Sequence, residues 1–231
     1  MRFASTPALI ALLPLLTGAS FTLAAQETAP PPAHAHDHED KDKPVEGGGA
    51  VPAGWAVRAD EGGTANVKVV PMGQGLHVTL GPAIILYRES HDGNGPFHTL
   101  ATFTQTKNPS HPEGYGLFFG GKALNGAGQQ YTYFLVRGDG TYLVKRREGE
   151  KTTQITKGWV ADAAVHKADA KGTATNLLEI DAKRDPSKIV FKANGKPVYT
   201  MDAKAADVNG VVGLRVNHNL DVHVEGFDVH R

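Results

Sequence analysis

The sequence contains no cysteine. That absence removes structural disulfides, thiolate chemistry and a lipid-modified N-terminal cysteine together. An excess of charge is lacking too. Lys and Arg total 24 against 24 Asp and Glu, so no net field draws the chain toward nucleic acid or an anionic membrane, and a polyanionic partner is disfavoured. Helical periodicity is nearly absent, a single turn over residues 162–169 being the exception, and there is no internal repeat. The apolar run at residues 8–16 is broken by Pro14 and is too short to span a bilayer.

That run has another use. Arg2 precedes it and small residues follow it down to Thr22-Leu23-Ala24-Ala25, the pattern of a secretory signal cleaved near Ala25. Residues 26–52 read as a disordered linker, with Pro30, Pro31 and Pro32, then alternate histidines, then Gly47, Gly48 and Gly49, and almost nothing apolar to bury. The imidazoles of His34, His36 and His38 on such a tether can converge on copper, nickel or zinc. The competing reading is a solvated tether with no frame to position ligands. Residues 53–231 remain as one domain, and about 180 residues bury enough core to be stable without cross-links. Export to a bacterial periplasm or exterior follows, with no membrane insertion once the signal is removed. No cofactor is indicated, and the oligomeric state is left open.

From Gly54 onward the chain reads as strand after strand, about a dozen in all, at spacings of roughly 8 to 12 residues with turn signals between them. Asp139-Gly140 joins residues 131–137 to 141–147, and Asn194-Gly195 joins 188–193 to 197–201. Both dipeptides are favoured where central turn residues need positive φ. Residues 210–231 read as a terminal hairpin: Val212, Leu214 and Val216 alternate with Gly213, Arg215 and Asn217, and Val222 and Val224 alternate with Asp221, His223 and Glu225. At Glu225-Gly226 the apolar phase slips by one, as a bulge would make it do. So many antiparallel strands must pack as two sheets to hide their apolar faces.

The closing stretch Val190-Phe191-Lys192-Ala193-Asn194-Gly195-Lys196-Pro197-Val198, then Gly210 to Val216, then Val222 to Val229, resembles concanavalin A-like lectin/glucanase domains, and within them laminin-G-like modules and the 3-keto-disaccharide hydrolase-like family. The resemblance implies an all-β, two-sheet antiparallel jelly-roll sandwich. It implies function far less, because that fold hosts binders and hydrolases alike.

On a curved sandwich the concave face is where sugars usually lie, with polar side chains for hydroxyls and aromatic rings for apolar sugar faces. Strand phase nominates Tyr115, Tyr131, Tyr133, Glu113 and Arg137 on two strands, Lys145 and Arg147 on the next, and Arg215, Asn217, Asp221 and His223 on the terminal pair, with His218 in its turn. The first reading is therefore an exported carbohydrate binder using Tyr115, Tyr133, Arg137, Lys145, Arg147, Arg215, Asn217 and His218. The second is glycoside cleavage on the same surface. There the resemblance to 3-keto-disaccharide hydrolases implies proton abstraction beside a ketone, with His223 as base and Asp221 and Arg215 in support. The third is a metal-binding or interaction module acting through His34, His36 and His38. The glucanase motif Glu-x-Asp-x-x-Glu is met only in part by Glu179-Ile180-Asp181, because Arg184 stands where the acid belongs, and a double displacement then lacks its proton donor.

Overall fold

The computed structural model describes Met1 and residues 41–231. The signal segment and His34, His36 and His38 lie outside the described residues. Among the described residues, fifteen strands form two antiparallel sheets. The eight-stranded sheet runs in the order β1 (Ala56–Ala59), β4 (Ile84–Tyr87), β14 (Val211–Val216), β6 (Gly114–Lys122), β7 (Gln130–Arg137), β8 (Thr141–Glu148) and β10 (Val160–Ala161), with β9 (Lys151–Gln154) also paired to β8. The seven-stranded sheet runs β13 (Lys196–Asp202), β12 (Lys188–Ala193), β11 (Ala174–Asp181), β5 (His98–Gln105), β15 (Asp221–His230), β3 (Gly75–Leu80) and β2 (Val67–Met72).

The inward positions of the two sheets meet in one apolar core that includes Phe97, Phe103, Phe119, Phe134, Phe191, Leu214 and Val222. The Phe119 ring lies against both Phe97 and Phe191. The eight-stranded sheet, however, is apolar on both faces. Ile84 and Leu86 point into the core, while Ile85 and Tyr87 on the same strand join Phe118, Leu124, Tyr131, Tyr133 and Leu135 in a second cluster on the outer side. This explains why β6 and β7 show continuous burial where a half-solvated strand would alternate. The seven-stranded sheet keeps the alternation, β5 being buried at every second residue.

Both expected hairpins form. At Asn194-Gly195 both residues take positive φ, +51° and +77°, the two-residue turn that suits strand twist. At Asp139-Gly140 only Gly140 does, at +85°. Asp139 instead accepts from the Thr141 amide at 3.1 Å and the Thr141 hydroxyl at 2.6 Å, which makes this a longer, side-chain-braced turn. The bulge at Gly226 is present: Glu225 pairs with Thr102 and Asp228 with Leu100, leaving two residues opposite one, and Gly226 has φ +62°. Residues 162–169 contain no helix, and Asp162 spends its carboxylate on the Ala164 amide at 2.8 Å.

The terminal stretch is not a hairpin. β14 pairs with β4 and β6, β15 pairs with β3 and β5, and residues 217–220 carry the chain from one sheet to the other. The alternation on each strand was real, but it reports which face is buried and not which strand lies alongside.

Residues 41–52, assigned to the linker by composition, are bound to the domain. Gly49 donates to Val67 at 2.7 Å and Val69 donates to Ala50 at 2.8 Å, so this segment covers the backbone of the edge strand β2. Asn219 clasps it further upstream: its side chain accepts from the Lys43 amide at 2.8 Å and donates to the Lys41 carbonyl at 3.2 Å. A Pro, Gly and Lys composition looks disordered because it buries little side chain, yet here the backbone makes the contacts. Asn219 sits at φ +57°, so Asn219→Gly keeps the backbone and removes only the clasp. It is expected to cost about 1–2 kcal/mol in urea unfolding, from two lost part-buried hydrogen bonds, and to raise amide exchange at Lys43 selectively, with Val45, held by Asn66, as the internal control.

Candidate functional site

The outer side of the eight-stranded sheet carries an apolar floor with charge set into it. Arg215, at the end of β14, is 5% exposed. It meets Asp60, just beyond β1, in a bidentate pair, Nη1 to Oδ1 and Nη2 to Oδ2 both at 2.6 Å. Arg147 on β8 adds a third contact to Asp60 Oδ2 at 3.1 Å. Tyr131 and Tyr133 on β7 flank the guanidinium: the Tyr131 hydroxyl is 3.4 Å from Nη1, and the Tyr133 ring centre lies 5.7 Å from Cζ. Gln129, with its amide oxygen turned to the cations, accepts from Arg147 and Arg58 at 3.1 Å each. Arg58 also donates to the carbonyls of Leu124 and Gly126, tying the β6–β7 loop down over the sheet.

Burial works against charge on Asp60, but the Arg215 charge and hydrogen bonds, followed by Arg147 and Arg58, outweigh it and hold the carboxyl below its ordinary value. Arg215 is pushed the other way: burial opposes its charge, and Asp60 more than restores it. The Tyr133 hydroxyl is pushed up to about 12, mainly by burial. Lys145, opposite Tyr133 in the register, is lowered by burial first and then by the Arg215 and Arg147 charges.

Of the residues nominated from sequence, Tyr133, Lys145, Arg147, Arg215 and Asn217 do share this side of the sheet. Asn217 accepts from Arg215 Nε at 3.3 Å and donates to Glu113 at 3.1 Å, and His218 pairs with Glu113 at 3.2 Å. Arg137 stands further along, its guanidinium 4.1 Å above the Trp159 ring. Gly114 makes room for that indole, since a Cβ there would lie 2.7 Å from it. Asp60, Arg58 and Gln129 were missed, because a lone Asp after a short strand and residues in a Gly-rich loop carry no pattern that points inward.

Two assignments are corrected. Tyr115 lies in the core between the sheets, 0% exposed, with its ring 5.6 Å from Phe103 and its hydroxyl accepting from Asn176 at 3.2 Å. It stands opposite Val136, which also faces inward. In addition, Arg215 does not converge with Asp221 and His223. The latter two sit on the outer side of the other sheet, with the whole core between. There Asp221 is held by Thr79, Thr106, Lys107 and His77, and His223 by Glu225 at 3.1 Å, its ring stacked on His77. A base on one side cannot use a cation on the other, so that catalytic trio is excluded. Glu179 and Asp181 are likewise structural: Glu179 meets His98 at 3.1 Å, and Asp181 accepts from the amides of Lys183 and Arg184. Among the described residues no three His, Asp or Glu side chains converge as metal ligands.

Beside the apolar floor, three loops open a cleft of about 730 Å³ lined by Tyr87 at the end of β4 with Glu89, Asp92 and Asn94 after it, Lys122 at the end of β6 with Asn125 after it, and Asn209 before β14. Asn125 accepts from the Tyr87 hydroxyl at 2.7 Å, and Asn209 accepts from the Gly95 amide at 2.7 Å. Each carboxamide is oriented through its oxygen, and its NH2 has no partner among the described residues. A smaller cleft of about 360 Å³ lies between Lys122, Thr132, Arg146 and Glu148 on one side and residues 204–207 on the other, with Tyr131 and Arg147 also lining it.

Asp60→Asn is expected to cost on the order of 3 kcal/mol at neutral pH, since it leaves two guanidiniums uncompensated under partial burial. Because the Asp60 carboxyl is held down in the folded state, its contribution is complete above its unfolded value near pH 4 and is lost as pH falls through the lower folded value. Urea unfolding from pH 7 to pH 3 should therefore show a shallower acid loss in the variant than in the wild type.

No family model matches the sequence, and no curated protein matches it. Solved structures do resemble the fold. The carbohydrate-binding module CBM66 from Bacillus subtilis superposes with a TM-score of 0.57 at 11% identity, over 77% of this chain and 96% of that one. The carbohydrate recognition domain of Emp46p, in its metal-free form, superposes with a TM-score of 0.52 at 11% identity, over 77% of this chain and 88% of that one. At such identity the likeness concerns architecture alone, and the architecture is a two-sheet antiparallel β-sandwich.

Proposed function

We propose that this protein is an exported carbohydrate-binding domain, and that the sugar is taken on the outer side of the eight-stranded sheet, in the cleft formed by Tyr87, Asn94, Asn125 and Asn209. The observation that carries this reading is the cleft's chemistry. Three carboxamides, two carboxylates and one ammonium surround about 730 Å³, a volume in the range of small-ligand sites. Carboxamides and carboxylates fixed at several angles suit a ligand with many hydroxyls, each both donor and acceptor. The partners that hold Asn125 and Asn209 in place pre-organise the donors, which lowers the cost of binding. The similar domains are described as a carbohydrate-binding module and a carbohydrate recognition domain, and that supports the same ligand class here. The secretory signal read from residues 1–25 supports export to the periplasm or the bacterial exterior, where such a ligand is met.

The test is a glycan array followed by calorimetry on the best ligand. An Asn125→Ala, Asn209→Ala double variant is expected to lose at least about tenfold in affinity, the equivalent of one to two hydrogen bonds. Its thermal midpoint, measured alongside, reports any loss of fold. Identical affinity in a folded double variant would remove the cleft from the proposal, and failure of every glycan to bind would remove the function.

A further inference from the structure

The even charge count of the whole chain conceals a local imbalance. On the outer side of the eight-stranded sheet Arg58, Lys145, Arg147 and Arg215 gather around a single carboxylate, Asp60. Glu113 is bonded to Asn217, which accepts from Arg215, and to His218. Four cations against one anion in a partly buried setting are unfavourable unless something compensates them. Two observations show that the compensation is incomplete. The half-buried Lys145 ammonium has no hydrogen-bond or ion-pair partner among the described residues. Arg147 Nε is buried and unpartnered as well. Strand register sets the backbone of Lys145 opposite Tyr133 and that of Arg147 opposite Tyr131.

We infer that this cluster is a subsite for an oxyanion carried on a saccharide, with Lys145 as its principal ligand and Arg147 and the Tyr133 hydroxyl beside it. The inference rests on the carbohydrate reading and deepens it: the glycan is acidic, a uronate or a sulfate ester. Arg58, a member of the cluster, holds the carbonyls of Leu124 and Gly126 on either side of Asn125, so the cluster and the carboxamide cleft share one loop. A chain of a few sugars with hydroxyls at Asn125 and Asn209 can extend from that loop toward the cations. An anion there removes mutual repulsion among the cations, which is the differential interaction that a neutral sugar cannot supply.

The experiment has two arms on the full chain and on Lys145→Met. In the first, thermal midpoints are measured in sodium sulfate and in sodium chloride at equal ionic strength. Sulfate should raise the wild-type midpoint by several degrees more than that of the variant, and equal shifts would overturn the subsite. In the second, calorimetry compares oligogalacturonate, a sulfated galactan oligosaccharide and a neutral galactan oligosaccharide of the same length. One acidic ligand should bind about tenfold tighter than the neutral one in the wild type, as a charge-assisted bond implies, and Lys145→Met should abolish that preference while leaving the neutral affinity unchanged. The acidic ligand that wins identifies the oxyanion as carboxylate or sulfate. Equal affinity for all three, unaltered by Lys145→Met, refutes the acidic specificity and leaves the carbohydrate function standing. Loss of affinity for neutral and acidic ligands alike in the variant also refutes it, because Lys145 would then serve the fold or the sugar and not the charge.

Discussion

The pair between Arg215 and Asp60 is the constraint around which the outer side of the eight-stranded sheet is built. A guanidinium at 5% exposure is tolerable only because its fork is filled, by a bidentate carboxylate, an amide oxygen and a tyrosine hydroxyl. The same carboxylate holds Arg147, and Gln129 joins Arg147 to Arg58. Segments as distant in sequence as the end of β1, the loop after β6 and the end of β14 are drawn to one point. The loop that results covers part of the apolar floor and shapes the wall of the carboxamide cleft.

The two sheets divide their labour unequally. The eight-stranded sheet buries apolar side chains on both sides, so it needs loops such as 123–129 to keep water from its second layer. The seven-stranded sheet turns an ordinary polar face outward, where His77 and His223, and His98 and His230, stack across neighbouring strands beside carboxylates. Each of His77 and His223 meets a carboxylate through Nε2, while its Nδ1 is buried without a partner among the described residues. The carboxamide cleft lies on the other side of the molecule, beside the apolar floor of the eight-stranded sheet.

Net charge and local charge answer different questions. A balanced chain exerts little pull at long range, where salt screens whatever remains, and this argues against an extended polyanion wrapped over the surface. It does not govern a partly buried cluster, where screening is weak and four cations act on one small volume. A binder with a neutral exterior and a cationic pocket would discriminate at the site and not by attraction from a distance.

Much of the architecture was legible in the sequence. Period-2 alternation, turn dipeptides and the absence of helical periodicity establish an all-β sandwich, and the hairpin at Asn194-Gly195 and the bulge at Gly226 were read correctly, because each is set by a few neighbouring residues. Tyr133, Lys145, Arg147, Arg215 and Asn217 were rightly put on one face by the phase of their own strands. Which strands lie side by side was a different matter. The hairpin expected for residues 210–231 is a crossing between sheets, so Arg215 and His223 part company after eight residues. Tyr115 could not be assigned a side, because β6 is buried on both. Asp60, which neutralises the central arginine from 155 residues away, leaves no mark in any local pattern. Local chemistry decides turns and alternation within a strand. Pairing between distant segments follows from the packing of the whole core, and only the tertiary structure records it.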